Sequence, residues 1–330
     1  MRLAKILIVS MMVLSGFSGC MMGGFSSAER SFERSLSVTG PVDLNVATGS
    51  GSIEVRAGNP GVVSIHGVIK ARDNMGATAE EKVRYIEANP PVEISGNTIR
   101  IGRINDPAYR NNVSISYQIQ VPPDTTLSAS TGSGSHRIDG LRGAVDASTG
   151  SGSIAIANIE GNVNAKTGSG GIELHSLTGR IDLQTGSGSI RADGIAGSIR
   201  AGTGSGSIAL NLGMVEQGAP LDVEAQTGSG GIEVSGVYGS LKASTGSGSI
   251  RAGGNPVKEW MINTSSGGVV IEMTPGAAFD LHAKASSGQL HLDLPVEVQG
   301  KVGRNELQGK VRGGGSLVRV HTSSGSITIR

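Results

Sequence analysis

A four-residue string, Thr-Gly-Ser-Gly, returns along the chain at a nearly constant interval, and this repeat restricts the possible folds more than any other feature. Its copies begin at Thr48, Thr131, Thr149, Thr167, Thr185, Thr203, Thr227 and Thr245. From Thr131 to Thr203 the spacing is always 18 residues, the next step is 24, and the step after that is again 18. Degenerate copies begin at Thr264, Ala285 and Thr322. A fixed period of this length indicates a repeat architecture, in which each unit packs against its neighbours.

Each 18-residue unit contains two short arms in which apolar residues occupy every second position. In one unit these arms are Ile190–Ala192 and Ile199–Ala201, and Gly197 lies between them. A period of two predicts half-buried strands, and the glycines fall where the chain must turn. One coil cannot bury its own apolar face, whereas stacked coils form a continuous core with parallel strands about 4.8 Å apart. The sequence therefore predicts an all-β fold, a right-handed parallel β-helix or β-solenoid with 18-residue coils.

The composition is that of an ordered chain with many tight turns. There are 53 glycines among 330 residues and only 9 aromatic residues, against a usual glycine share of about 7%. The apolar residues keep fixed intervals, which a disordered tract has no reason to do. Because the net charge is only +1, there is no electrostatic argument for a nucleic-acid partner, and we expect none.

The N-terminus has the pattern of a secretory signal. Arg2 and Lys5 supply a positive region, and Ile6–Leu14 is an apolar run too short to cross a bilayer alone. The run leads into Phe17–Cys20, which resembles a bacterial lipobox, although Phe17 stands where leucine is usual. The resemblance implies that residues 1–20 are a lipoprotein signal peptide. It also implies that Cys20, the only cysteine, carries the acyl chains that anchor the protein to a membrane.

The residues after Cys20 bear on the destination of the protein. Met21 follows the cysteine, so the aspartate associated with inner-membrane retention is absent and an outer-membrane lipoprotein is expected, facing either the periplasm or the exterior. Residues 21–35 are mostly small and polar and predict a flexible tether. With no second cysteine, no disulfide can form within the chain.

Residues 36–130 follow the repeat less closely. The segment Thr78–Ala88 has helical composition and is stopped by Pro90 and Pro91, whereas Val113–Val121 alternates strictly and predicts a strand. Because a solenoid needs caps over its open ends, residues 36–130 are interpreted as N-terminal strands with a helix-bearing cap. The regular repeats are assigned to residues 131–330.

The recurring Thr-Gly-Ser-Gly-Ser-Ile unit is similar to a bacterial family known as putative adhesins, which are cell-surface domains of unknown function with β-strand repeats. The resemblance extends to Val113–Pro123 and Leu127–Gly134, and so covers roughly residues 36–330. It implies the solenoid fold and a surface location. The family has no agreed catalytic residue or ligand that could be carried over to this chain.

Outward-facing positions of successive coils form columns, and one column is rich in charge. Its members are Asp146, Asn164, Asp182, Arg200, Glu224 and Lys242. Solenoid polysaccharide lyases and pectinases use stacked acids, sometimes with Ca²⁺ and an arginine, so Asp146, Asp182, Arg200 and Glu224 are the candidate site of such an enzyme. The competing interpretation is a ladder of opposite charges, each pair contributing a fraction of a kcal/mol. It is favoured because a second column, from Arg137 to Arg251, also places each glutamate beside an arginine.

Other polar patterns point to structure. The six histidines show no metal-site spacing, and His136 occupies a slot that is isoleucine in later units. Trp260 has the phase of a core residue. The ranks of Thr-Gly-Ser hydroxyls resemble those of ice-binding solenoids, but they fall at glycine corners, where turn formation explains them better. No catalytic residue, cofactor or metal is expected.

These observations favour a non-enzymatic, envelope-anchored surface lipoprotein with a structural, adhesive or ligand-binding role. Its expected partners are the membrane, through Cys20, and an envelope polymer or surface protein. One alternative is an enzyme acting on polysaccharides, and another is an envelope stress or sensor-linked scaffold. A binding site is expected where the repeat fails, namely in the insertion Asn211–Pro220, in the coils after Gly253, or in the cap before Thr131.

Overall fold

The computed structural model describes residues 26–73, 76–102, 104–213, 219–298, 303 and 305–330. It is an all-β solenoid with two short helices, which confirms the predicted fold class. The chain divides into two compact units, residues 1–160 and 161–330. The predicted signal peptide and Cys20 lie outside the described residues. Within the described part, no helix is long and apolar enough to cross a membrane.

The described residues of the first unit form eleven strands and both helices. They are β1 (Ser27–Ser37), β2 (Val42–Thr48), β3 (Ile53–Ala57), β4 (Val62–Arg72), α1 (Ala79–Ala88), β5 (Val92–Ser95), β6 (Thr98–Ile101), α2 (Pro107–Arg110), β7 (Val113–Val121), β8 (Thr125–Thr131), β9 (His136–Asp139), β10 (Val145–Thr149) and β11 (Ile154–Glu160). One sheet of this unit, here called sheet B, has the order β5-β6-β2-β8-β10, and its strands β2, β8 and β10 end at a turn threonine. The other sheet, here called sheet A, has the order β1-β4-β7-β3-β9-β11, and its strands β3, β9 and β11 follow those turns.

The first coil in sequence, β2 with β3, therefore lies inside its unit. On one side it pairs with β8 and β9, and on the other with β6 and β7. The chain between β3 and β8 makes the excursion that caps the coil. Strands β8 and β9 stack directly on this coil, and β10 and β11 stack on β8 and β9 in turn, within the same unit.

Helix α1 closes the outer face of this cap. Thr78 and Glu81 form a capping box at its start, with the hydroxyl oxygen of Thr78 accepting from the Glu81 amide and the Glu81 carboxylate accepting from Thr78. Val83 and Ile86 are buried beneath the helix. The fully buried Lys82 donates through Nζ to the carbonyls of Arg72 (2.7 Å) and Asn111 (3.0 Å). The predicted helix at 78–88 is thus present, with Thr78 as its cap.

The prediction of a flexible tether over residues 21–35 is wrong from Ser27 onward. Residues 27–37 form β1, which pairs antiparallel with β4 along its whole length. Arg30 binds two carboxylates of helix α1, Glu80 (2.8 Å) and Glu87 (3.1 Å), and Phe32 is buried against the bare backbone of Gly67. The polar composition of β1 is consistent with this position, because only Phe32 and Leu36 are buried and the remaining side chains are exposed or half-buried, with Arg30 contacting helix α1.

His136 fills a core position with a group that can titrate. It lies between Ile53 and Ile154 in sheet A and is 2% exposed. Its Nε2 donates to the Ser148 carbonyl at 2.8 Å, whereas Nδ1 is buried without a hydrogen-bond partner among the described residues. Burial lowers the pKa of His136 below its usual value, against the opposing effect of the Ser148 carbonyl. A second proton would leave a buried N–H unpaired.

The first unit is therefore expected to lose stability as the pH falls. Because the folded-state pKa of His136 is below its unfolded value of 6.5, the unfolded chain binds more protons below that pH. The His136 contribution is complete above the unfolded pKa and decreases as the pH falls toward the folded pKa. His136→Ile should reduce the pH dependence of the unfolding free energy, measured by urea denaturation between about pH 5 and 8. His175→Gln, at an exposed histidine, is the control; an unchanged slope in His136→Ile would contradict the assignment.

Seventeen strands are present in the part of the second unit that the structure describes. They are β12 (Val163–Thr167), β13 (Ile172–Thr178), β14 (Ile181–Thr185), β15 (Ile190–Ala196), β16 (Ile199–Thr203), β17 (Ile208–Leu212), β18 (Leu221–Thr227), β19 (Ile232–Thr245), β20 (Ile250–Asn255), β21 (Trp260–Thr264), β22 (Val269–Met273), β23 (Phe279–Ala285), β24 (Leu290–Leu292), β25 (Val296–Val298), β26 (Glu306–Val311), β27 (Ser316–Thr322) and β28 (Ile327–Ile329). Each regular coil adds one strand to sheet B and one to sheet A in parallel register. In each, isoleucine, leucine, valine and alanine side chains point into the core.

The last coils of this unit are not stacked in chain order. Sheet B ends in the order β21-β27-β23-β26-β25, and sheet A ends in the order β22-β28-β24. The final coil in sequence, β27 with β28, therefore lies between the coil of Thr264 and the coil of Ala285. The antiparallel strands β26 and β25 close the end of sheet B. The insertion Asn211–Pro220 overlaps the connection between β17, which ends at Leu212, and β18, which begins at Leu221, and its residues 214–218 are outside the described part.

Candidate functional site

Three of the four residues of the predicted charged column lie in one row on sheet B of the second unit. In register, Asp182 of β14 lies beside Arg200 of β16, Arg200 beside Glu224 of β18, and Glu224 beside Lys242 of β19. These residues alternate with buried core positions, so they point outward. The fourth candidate, Asp146, lies on β10 of the first unit, in register with Ser128.

Glu224 is the centre of this row. Its Oε2 accepts from Arg200 Nε at 2.9 Å, and its Oε1 accepts from Lys242 Nζ at 3.1 Å and from Gln226 Nε2 at 2.7 Å. Its side chain is 21% exposed, whereas those of its two cationic partners are more than half exposed. Burial acts to raise the pKa of Glu224, but the positive charges of Lys242 and Arg200 outweigh it and lower the pKa. The carboxylate is therefore held in its ionised form.

This electrostatic setting limits the chemistry of the row. A glycosidase acid needs a carboxyl group whose pKa is raised so that it carries a proton near neutral pH. Glu224 has the opposite shift. Asp182 accepts a bond of 3.3 Å from Gln184 on its own strand, while Arg200 binds Glu224. The arrangement is a cross-strand charge ladder of the kind that stabilises neighbouring strands.

A neighbouring charged group was not predicted from the sequence. Asp222, two positions before Glu224, accepts from Ser240 Oγ at 2.7 Å and from Lys258 Nζ at 3.0 Å. These contacts lower the pKa of Asp222, the Ser240 hydroxyl first and Lys258 next. Lys258 lies in the irregular corner before Trp260, where the period no longer predicts which residues meet. In the sequence, the only indication of this group was that Asp222 shares the outward-facing phase of Glu224.

The second column is confirmed in register but not in its contacts. Glu173 lies beside Arg191 and Glu233 beside Arg251, yet neither pair forms an ion pair within the described residues. Arg251 instead reaches Glu272 at 3.3 Å, and Glu272 also binds Arg330 at 2.6 Å. Register alone therefore did not determine which charges pair, because long side chains reach along a strand as well as across it.

The repeated threonines are buried rather than displayed. Thr185 is 6% exposed; its hydroxyl donates to the carbonyl of Gly170 in the preceding coil at 2.8 Å and accepts from the Gly188 amide at 3.1 Å. The same two bonds recur at Thr149, Thr203 and Thr227. Each threonine thus closes its own turn and ties it to the coil before, so these hydroxyls do not form the exposed ranks that ice-binding solenoids use.

Thr185→Val is expected to destabilise the second unit by about 1 to 3 kcal/mol, because it leaves a buried carbonyl and a buried amide without their partner while keeping the side-chain shape. Chemical denaturation measures the change. Thr178→Val, at an exposed threonine of β13, is the matched control and should change stability by less than about 0.5 kcal/mol. Equal effects of the two substitutions would show that the hydroxyl ladder is not a source of stability.

The remaining candidate residues have structural environments. Trp260 is fully buried and donates from Nε1 to the Gly239 carbonyl at 3.0 Å, which confirms the core assignment. Within the part of the chain that the structure describes, no group of three or more His, Cys, Asp or Glu residues is placed to hold a metal ion.

Comparison with known proteins adds a family and two distant structures. Residues 214–330 match the family described as Toastrack DUF4097. A putative cell adhesion protein from Clostridium sporogenes ATCC 15579 is 11% identical, aligned over 91% of this chain and 99% of its own, with a TM-score of 0.21. A putative adhesin from Bacteroides fragilis NCTC 9343 is 12% identical over 91% of this chain and 97% of its own, with a TM-score of 0.34. No curated protein matches the chain. The family match lies wholly within the second unit.

Proposed function

From the match of residues 214–330 to the family described as Toastrack DUF4097, we propose that the protein is a non-enzymatic surface lipoprotein of the cell envelope. Its solenoid serves a structural or adhesive role. The main observation behind this proposal is that the repeated polar residues make their contacts within the solenoid itself. The threonines bind backbone, the turn glycines touch the next coil, and Glu224 is held between two cations.

The N-terminal sequence supports anchoring at Cys20. Strand β1 begins at Ser27, seven residues after the cysteine. Seven residues in extended conformation span at most about 25 Å. A lipid on Cys20 would therefore hold the first unit close to the membrane surface, which suits a component of the envelope better than a long-reach arm.

Two experiments on cells test the anchoring. Growth with a labelled fatty acid should label the wild-type protein, whereas Cys20→Ala should remain unlabelled and leave the membrane fraction. Cys20→Ser serves as a second variant. If only one of the two variants loses labelling because it is poorly exported, comparison with the other variant reveals this. Protease treatment of intact cells then distinguishes exterior exposure from the periplasm. Equal labelling of wild type and Cys20→Ala would overturn the lipoprotein proposal.

A deletion of residues 161–330, the whole second unit, tests the role. We expect reduced attachment or weakened envelope integrity, measured as surface adherence and detergent sensitivity. Unchanged behaviour in both assays, with the truncated protein present at normal level, would contradict the structural or adhesive role. In parallel, Asp182→Ala and Arg200→Ala are compared with the wild type on envelope and plant glycans. Cleavage by the wild type that either substitution abolishes would establish the enzymatic alternative instead.

A further inference from the structure

The irregular end of sheet B in the second unit brings four basic side chains together. Arg319 and His321 project from β27, and His282 and Lys284 project from the neighbouring β23. The register places His282 beside Arg319 and Lys284 beside His321. The four residues therefore form a two-by-two block on adjacent strands, which lie about 4.8 Å apart. We call this block the basic patch.

The basic patch exists because the last coil is inserted out of chain order. In the sequence, His282 and Arg319 are separated by a full excursion of the chain through β24, β25 and β26. Only the placement of β27 between β21 and β23 makes them neighbours. The regular columns contain no comparable block: opposite charges alternate along the row from Asp182 to Lys242.

The charges around the basic patch are nearly balanced at neutral pH. On β26, Glu306 lies 3.5 Å from His282 and 3.8 Å from Lys284, and on the other side Glu259 lies 3.8 Å from Arg319. Lys310 of β26 lies in register with Asp280 of β23, and the strand beyond β27 presents the neutral side chains of Met261 and Asn263. Among the described residues, the charged groups that lie beside the two histidines on these strands are Glu259, Asp280, Lys284, Glu306, Lys310 and Arg319.

Protonation would change this balance. Lys284 and Arg319 are offset by Glu306 and Glu259, so the two histidines decide the sign of the local field. Histidine changes its charge between about pH 5 and 8. If both histidines carry a proton, two added positive charges on adjacent strands give the patch a net positive charge. The side chains of His282, Lys284 and Arg319 are between 38% and 52% exposed, so a ligand could reach them from solvent.

We propose that the basic patch binds an anionic polysaccharide and binds it more tightly at acidic pH. The proposal names a ligand class for the structural or adhesive role. It rests on that proposed role, because the protein meets such a polymer only if it is located in the cell envelope. A polyanion fits because the groups lie on the open face of a sheet, where carboxylate or phosphate groups along a chain can each meet one cation. A lipid surface fits less well, because none of the exposed large apolar side chains, Val62, Ile94 and Val298, lies in the patch.

The test uses the full chain, purified in a non-ionic detergent, and alginate as the carboxylated probe. We expect binding about ten-fold tighter at about pH 5.5 than at about pH 7.5, and loss of binding when salt screens the charges. His282→Gln with His321→Gln should remove the pH dependence. Arg319→Gln with Lys284→Gln should weaken binding at both pH values. Dextran, which is neutral, should not bind.

Matched controls come from the opposite sheet. His175→Gln and Arg191→Gln alter an exposed histidine and an exposed arginine of sheet A and should leave alginate binding unchanged. A wild-type protein that ignores alginate at both pH values, or a histidine double variant that keeps the full pH dependence, would overturn the proposal. Binding to anionic phospholipid vesicles but not to alginate would also overturn it. These results are independent of the fatty-acid labelling and attachment assays, so failure of the ligand is distinguishable from failure of the proposed role.

Discussion

Gly188→Ala is expected to be among the most destabilising single substitutions in the second unit, with a loss of at least about 3 kcal/mol. A Cβ on Gly188 would lie 1.8 Å from the carbonyl oxygen of Gly170 in the preceding coil. Neither partner is a side chain that can rotate away, because both belong to the stacked backbone of the turn. The coils must therefore separate locally, and the Thr185 bonds that join them would be lost with that contact. Urea or thermal denaturation measures the change.

Gly202→Ala is the matched control for this contact. Gly202 lies on β16, two residues before the turn glycine Gly204. The nearest atom to a Cβ added at Gly202 is the Leu183 carbonyl oxygen, at 4.0 Å. We expect a change of less than about 1 kcal/mol, within the range of ordinary glycine to alanine substitutions. If both substitutions cost the same, then the loss reflects the backbone freedom of glycine and not the close approach of the coils.

Removal of the last fifteen residues, 316–330, is expected to unfold the C-terminal coils rather than merely shorten the chain. The deletion takes away β27 and β28, whose side chains at Val318, Val320, Ile327 and Ile329 are at most 1% exposed. Burial of each such side chain contributes about 1.5 to 3 kcal/mol, so the sum is comparable with the whole stability of a typical domain. Strands β21 and β23 both pair with β27 and would lose those backbone hydrogen bonds.

Limited proteolysis read by mass spectrometry checks this expectation. The truncated protein should be cleaved within residues 260–285, which the intact protein should protect. Removal of Arg330 alone is the control, because it deletes the contact with Glu272 but leaves both strands in place. A truncated protein with wild-type protection of Trp260 and Phe279 would show that the final coil is not an interior element.

Much of the fold could be predicted from the period of the sequence. The spacing of 18 residues sets the coil, and the alternation around Ile190 and Ile199 sets which side chains are buried, because strand geometry has a strict period of two. The order of the last three coils could not be predicted. The turns at Thr264, Ala285 and Thr322 follow one another in sequence. In the structure, however, the coil of Thr322 lies between the other two, because β27 pairs with both β21 and β23.

Strand β1 shows a second limit of pattern reasoning. Its sequence contains only Phe32 and Leu36 as large apolar residues, so composition indicated a tether. Its order comes from long-range partners, namely β4 along its length and helix α1 through Arg30. In the candidate site, the row around Glu224 was predictable because it obeys the period. Asp222, Lys258 and the basic patch were not, because each depends on a segment where the period is lost.

The near-identity of the regular coils has a consequence for how the second unit reaches its native state. A strand displaced by one whole coil would still meet a threonine, a glycine and an isoleucine at the expected places, so local energy distinguishes correct from shifted pairings only weakly. Residues that occur once must then break the degeneracy: Trp260 with its bond to Gly239, and Lys258 with its bond to Asp222. We expect the rate of folding to be governed by the search for the correct alignment among equivalent coils, with these unique contacts, rather than the repeated ones, selecting the final register.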